Sequence, residues 1–142
     1  MDETAYRQAL SATVSDACPF EKTILANCAA CSRAGKRNIA EREIVYCNNA
    51  ESLVRCIELR DLLRRNFSFT LGELHIDKPL PHAQEMRMQC GGMKGLQFLI
   101  DEHDEVNDIH ELLNVAQQKF GDLADFPYSQ IIRLANMSYK GR

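Results

Sequence analysis

Five cysteines fall within residues 18–56, namely Cys18, Cys28, Cys31, Cys47 and Cys56, and a sixth, Cys90, stands apart in Gln89-Cys90-Gly91-Gly92. Any fold this chain adopts must place those sulfurs as metal ligands, redox groups, disulfides or small apolar packing groups. The start, Met1-Asp2-Glu3-Thr4, is acidic and lacks the basic stretch and apolar run of a secretory leader, so a cytoplasmic location is expected. Thiols are kept reduced in that compartment, which argues against three structural disulfides and for ligands, redox groups or core.

The chain around the cysteines reads as helical. Pro19 suits a first helical position, Glu21 suits a capping-box carboxylate, and Phe20, Ile24, Cys28 and Cys31 follow on one face. Those signals predict one helix over residues 19–34, closed by Gly35. Residues 38–46 read as a second short helix or as a turn into extended structure. Asn48 and Asn49 are N-cap candidates for a helix whose apolar stripe runs through Leu53, Cys56, Leu59 and Leu63 to about Asn66. Phe67-Ser68-Phe69-Thr70-Leu71 alternates like a strand. Pro79 and Pro81 break helix within the expected loop 72–82.

Further on, a helix is expected from His82 or Ala83 through Cys90, interrupted or kinked at Gly91-Gly92 and resumed from Met93 to Leu99. Another is expected over Val106 to Phe120, closed by Gly121, and a last one opened by Pro127. At 142 residues, 45% hydrophobic and 26% charged, the chain suits one ordinary core. The expectation is a mostly α, compact single-domain bundle of about five or six helices, cysteine-rich throughout 1–142. At most one short extended segment is expected, near residues 67–71. No stretch is long and apolar enough to span a bilayer.

Cys28-Ala29-Ala30-Cys31 on a helix would set two sulfurs one turn apart, suited to one zinc ion or one iron–sulfur cluster. Cys18 and Cys47 at helix starts would gain thiolate character from free N–H groups. Gly91-Gly92 would let backbone approach a cluster held by Cys90. On continuous helices Cys18 and Cys28 would lie about 15 Å apart, and Cys47 and Cys56 about 13 Å, too far for either pair to share a centre. Two ligand sets follow: Cys18, Cys47 and Cys90, helped by Cys31 or Cys56, or else Cys28, Cys31 and Cys56 with a fourth group. Structural zinc sites draw on two short-spaced cysteine pairs and only one is present, so an iron–sulfur cluster is expected first and zinc second. The corresponding function is electron transfer or redox or oxygen sensing.

Other residues offer less. His103 and His110 are seven apart amid acidic residues, and His82 is a cap or a fourth ligand. Residues 33–65 carry eight Lys/Arg against five Asp/Glu in a chain of net charge −3. That basic region suggests an alternative role, a zinc-stabilised or metal-free helical adaptor docking a protein partner or, less favoured, nucleic acid through Arg33, Lys36 and Arg37. No catalytic constellation, phosphate loop or nucleotide fingerprint is present in the sequence.

Overall fold

The computed structural model describes residues 16–70 and 80–138. The readings for residues 1–15, for 71–79 including His75, and for the last residues lie outside them. Among the described residues the chain is mostly helical, as expected, and one hydrophobic core runs from Phe20 to Ala135. The elements are α1 (Glu21–Leu25), β1 (Ala34–Ile39), β2 (Arg42–Cys47), α2 (Ala50–Thr70), α3 (His82–Met86), a π-helical turn (Arg87–Gly91), α4 (Gly92–Asp101), α5 (Ile109–Phe120), a 3₁₀ turn (Leu123–Asp125) and α6 (Tyr128–Ser138).

The first helix is far shorter than the apolar spacing suggested. It ends after Leu25 because Asn27 takes the left-handed conformation, at φ 59°. The Asn27 amide bonds to the Ile24 carbonyl and the Cys28 amide to the Thr23 carbonyl, the two reverse bonds of a Schellman stop. Cys28 and Cys31 therefore lie in a loop, not on a helix face. That loop is pinned to the segment before α5: Ala30 N–H donates to Val106 O, Ile109 N–H to Ala30 O and Ser32 N–H to Asp108 Oδ1.

Extended structure lies not over residues 67–70 but across residues 34–47, where the second of the two readings of residues 38–46 placed it. Residues 67–70 are the last turn of α2, where Phe67 is buried in the core, so the alternation there was not a strand. The strands β1 and β2 form an antiparallel hairpin, pairing Ala34 with Cys47 through Ile39 with Arg42. Its two-residue turn puts Ala40 and Glu41 at φ 52° and 66°, the left-handed geometry that matches strand twist. The chain before α1 adds to the hairpin edge, with Cys18 N–H donating to Val45 O and Cys47 N–H to Asp16 O. Glu21, read as a capping carboxylate, instead accepts from the Val45 amide at 2.8 Å and ties α1 to β2.

Gly91-Gly92 does not interrupt the helix either. The backbone stays right-handed from α3 through the π turn into α4. The glycines serve close packing: a Cβ on Gly91 would lie 2.9 Å from Ala135 Cβ, and one on Gly95 would lie 3.0 Å from Ile131 O. These positions, one turn apart, let α4 lie against α6, the tightest helix pair of the fold. Of the other ends, α5 starts at Ile109 and not at the expected Val106, which instead bridges to Ala29. Asn49 caps α2 through the Ser52 amide, Asp108 caps α5 through the His110 amide, and Gly121 closes α5 at φ 97°.

Candidate metal centre

The structure divides the six cysteines into two groups. Cys28 and Cys90, 62 residues apart in sequence, are joined in a disulfide between the loop after α1 and the π turn. Their sulfurs are not thiolates in this state and stand apart from the rest. The other four, Cys18, Cys31, Cys47 and Cys56, are free and all line one small cavity with Pro19, Phe20, Ala34, Ser52, Ile109 and His110. The two ligand sets drawn from helix geometry are thus both recombined. The Cys28–Cys31 pair is split, and Cys90 leaves the helix-start set for Cys28.

Each sulfur arrives from a different place. Cys18 follows the bridge that Ala17 makes to Tyr46; Cys31 sits just before β1. Cys47 ends β2, and its thiol donates to Asn49 O at 3.2 Å. Cys56 lies on the buried face of α2 with Ser52, Leu59 and Leu63. The 13 Å exclusion between Cys47 and Cys56 fails because α2 begins at Ala50: Cys47 belongs to the strand and the chain doubles back before the helix.

Burial governs the electrostatics. It pushes the Cys18 and Cys56 thiols up to about 12, and the neighbouring free thiols add repulsion in the same direction. Burial also raises Cys31, with repulsion from Asp108 and Cys47 added, while amides of Arg33 and His110 hydrogen-bond its sulfur and oppose the rise. The Phe20 amide does the same for Cys18. The expected helix-start stabilisation is therefore outweighed at Cys18 by desolvation. The raised values keep the Cys18, Cys31 and Cys56 thiols protonated and uncharged, a form that packs in an apolar cavity; a cation among them would have to displace those protons.

His110 frames one wall. Its Nδ1 lies 2.7 Å from Ser52 Oγ and 3.3 Å from Arg55 Nη2. Arginine only donates, so Nδ1 is the acceptor in that contact. Arg55 also donates to the His110 carbonyl, Asn114 and Gln117, fixing α2 against α5. No sequence spacing singled out Ser52 or Arg55; both are visible only once α2 and α5 are side by side. His103 lies in the exposed connection before α5, against Asp101, so no helix places it with His110. His82 is an exposed first residue of α3.

Among the described residues no three His, Cys, Asp or Glu side chains are spaced to hold a single metal ion as they stand. In the basic region Lys36 is exposed beside Glu43, at 4.0 Å, while other cations are engaged. Arg37 stacks on Tyr46 at 3.9 Å and pairs with Asp16, Arg55 turns inward, and Arg64 pairs with buried Glu85 at 3.0 Å. No helix among the described residues is long and apolar enough to cross a membrane. Compared with protein-family models, curated proteins and solved structures, the chain matches none.

Proposed function

We propose that Cys18, Cys31, Cys47 and Cys56 hold an iron–sulfur cluster and that the protein transfers electrons or senses redox state or oxygen. The observation that carries this reading is the convergence of all four free cysteines, from four separate points of the chain, on one apolar cavity. The spacing supports a cluster over a lone ion. The closest of these cysteines in sequence, Cys47 and Cys56, are nine residues apart, whereas structural zinc uses short-spaced pairs. Sulfurs on one tetrahedral zinc lie about 3.8 Å apart, from a Zn–S bond of about 2.3 Å. A cluster spreads its thiolates over several irons and accepts a wider set. The amides of Phe20, Arg33 and His110 are the outer hydrogen bonds by which proteins tune such sulfurs. Partial exposure of Cys18, Cys31 and Cys47 keeps the centre near the surface, where an electron partner reaches it.

One observation favours a second reading. The void among the thiols is only about 10 Å³, nearer the size of one ion than of a cluster, so a single zinc ion stabilising a binding module is the second reading; it requires the thiols to close in, since no three donors stand at single-ion spacing among the described residues. Purification without oxygen, followed by iron, sulfide and zinc analysis, separates the readings. Iron with sulfide is expected. The serine variants at positions 18, 31, 47 and 56 should each lose it, while Cys28→Ser and Cys90→Ser keep it. One zinc per chain selects the module; a metal-free, fully folded protein overturns both.

A further inference from the structure

The Cys28–Cys90 disulfide does not enter the metal reading, yet it forms part of a second and larger cavity. Asn27, Cys28, Lys94, Asp104, Glu105 and Asn107 line a groove of about 510 Å³, within the size range of small-ligand sites. The disulfide's two residues differ in access: Cys28 is partly exposed and lines the groove, while Cys90 is 0% exposed within the π turn. Lys94, in the first turn of α4, lines the same groove as Cys28. Asp104 and Glu105 supply the opposite charge in the same groove.

We propose that this groove is a thiol–disulfide exchange site for a small zwitterionic thiol, one carrying both carboxylate and ammonium groups. The carboxylate pairs with Lys94, and the ammonium with Asp104 or Glu105. The incoming thiolate attacks Cys28 Sγ, because Cys90 is out of reach. The Cys28–Cys90 bond breaks as the new sulfur–sulfur bond forms on Cys28. Cys90 leaves with the electron pair and takes up a proton, equal to the one the attacking thiol gave up. A second molecule of thiol then attacks the mixed disulfide at the small-thiol sulfur, releasing an oxidised dimer of the small thiol and the Cys28 thiol. Two small thiols are oxidised and one protein disulfide is reduced, so the electrons balance. This site stands on its own residues and does not require a metal among the other four cysteines.

The test uses the full chain, with glutathione as the zwitterionic probe and mercaptoethanol as an uncharged one. The ratio of reduction rates, glutathione over mercaptoethanol, is measured by alkylation mapping of Cys28 and Cys90. Lys94→Gln is expected to lower that ratio about threefold, the size of one partly screened charge contact. In Cys90→Ser, oxidised glutathione is expected to leave a mixed disulfide on Cys28. In Cys28→Ser, Cys90 is expected to remain unmodified in the folded protein. An unchanged ratio in Lys94→Gln, modification of Cys90, or reduction only by a protein dithiol would overturn the proposal. So would alkylation of all six cysteines in denatured protein that had never been reduced.

Discussion

Glu85 is nearly out of solvent, with a side chain 3% exposed, and it stays charged because donors face it on both oxygens. Burial alone would raise its carboxyl. The hydrogen bonds from Arg64, Gln89 and the Leu80 amide, with the Arg64 charge, outweigh that and hold it below the usual carboxylate range. Gln89 in turn accepts from Thr23 at 3.2 Å, so one polar chain links α1, the π turn and α2. A folded-state value below the unfolded one stabilises the fold above the ordinary carboxylate pKa, and the gain is lost as pH falls through the lowered value. Glu85→Gln should therefore cost about 2 kcal/mol at neutral pH, the worth of charge-assisted hydrogen bonds with partial compensation by the amide. It should also flatten the acid limb of stability, measured by urea unfolding between neutral pH and pH near 3. At this scale the sequence singled out the cysteines, but not which of them come together. The deciding residue was Asn27, second only to glycine as a left-handed helix stop, whose signal was masked by the regular spacing of Phe20, Ile24, Cys28 and Cys31.

The start of α2 and the end of α5 were legible, because Asn49 and Gly121 act through backbone geometry that neighbours barely alter, whereas the Asp108 cap, inside the helix expected from Val106, was missed. The hairpin was less legible. Its turn is Ala40-Glu41, with neither the Asn nor the Gly that marks such turns, so residues 38–46 carried no clear turn signal. Both turn residues pay for left-handed backbone, at about 1 kcal/mol or more each for a residue with a Cβ. Glu41→Gly should therefore stabilise the protein by about 1 kcal/mol, less the entropy that glycine returns to the unfolded chain. Thermal unfolding should show a raised midpoint. A lowered one would mean that the Glu41 side chain contributes more than its backbone strain costs. The strand misreading at 67–71 has the opposite origin. Alternation over five residues is weak evidence, and a helix already under way from Ala50 absorbed them.

Across the molecule the two ends of the fold are held by different means. The α4–α6 pair is closed by glycines and buried apolar residues, among them Met93, Leu96, Ile131 and Ala135. The hairpin has only Ile44 and Val45 fully buried, and an isolated two-stranded ribbon is marginal in water. What joins it to the helices is a few backbone bonds, the Glu21–Val45 contact, and the cavity at which Cys18, Cys31, Cys47 and Cys56 meet. Cys31 precedes β1, Cys47 ends β2, and Cys56 belongs to α2, so a metal held there would fasten the ribbon to the longest helix. Such a site couples binding energy to the stability of the segment that supplies its ligands. Removing metal from the loaded protein should therefore speed amide exchange across Ala34–Cys47 by at least about tenfold, equal to about 1.4 kcal/mol of local opening. Over the same interval, protection in α4 and α6 should change by less than about twofold, because their packing does not pass through the site. Exchange that accelerates uniformly would make the metal part of the global fold, and a hairpin left unchanged would separate these thiols from any role in holding it.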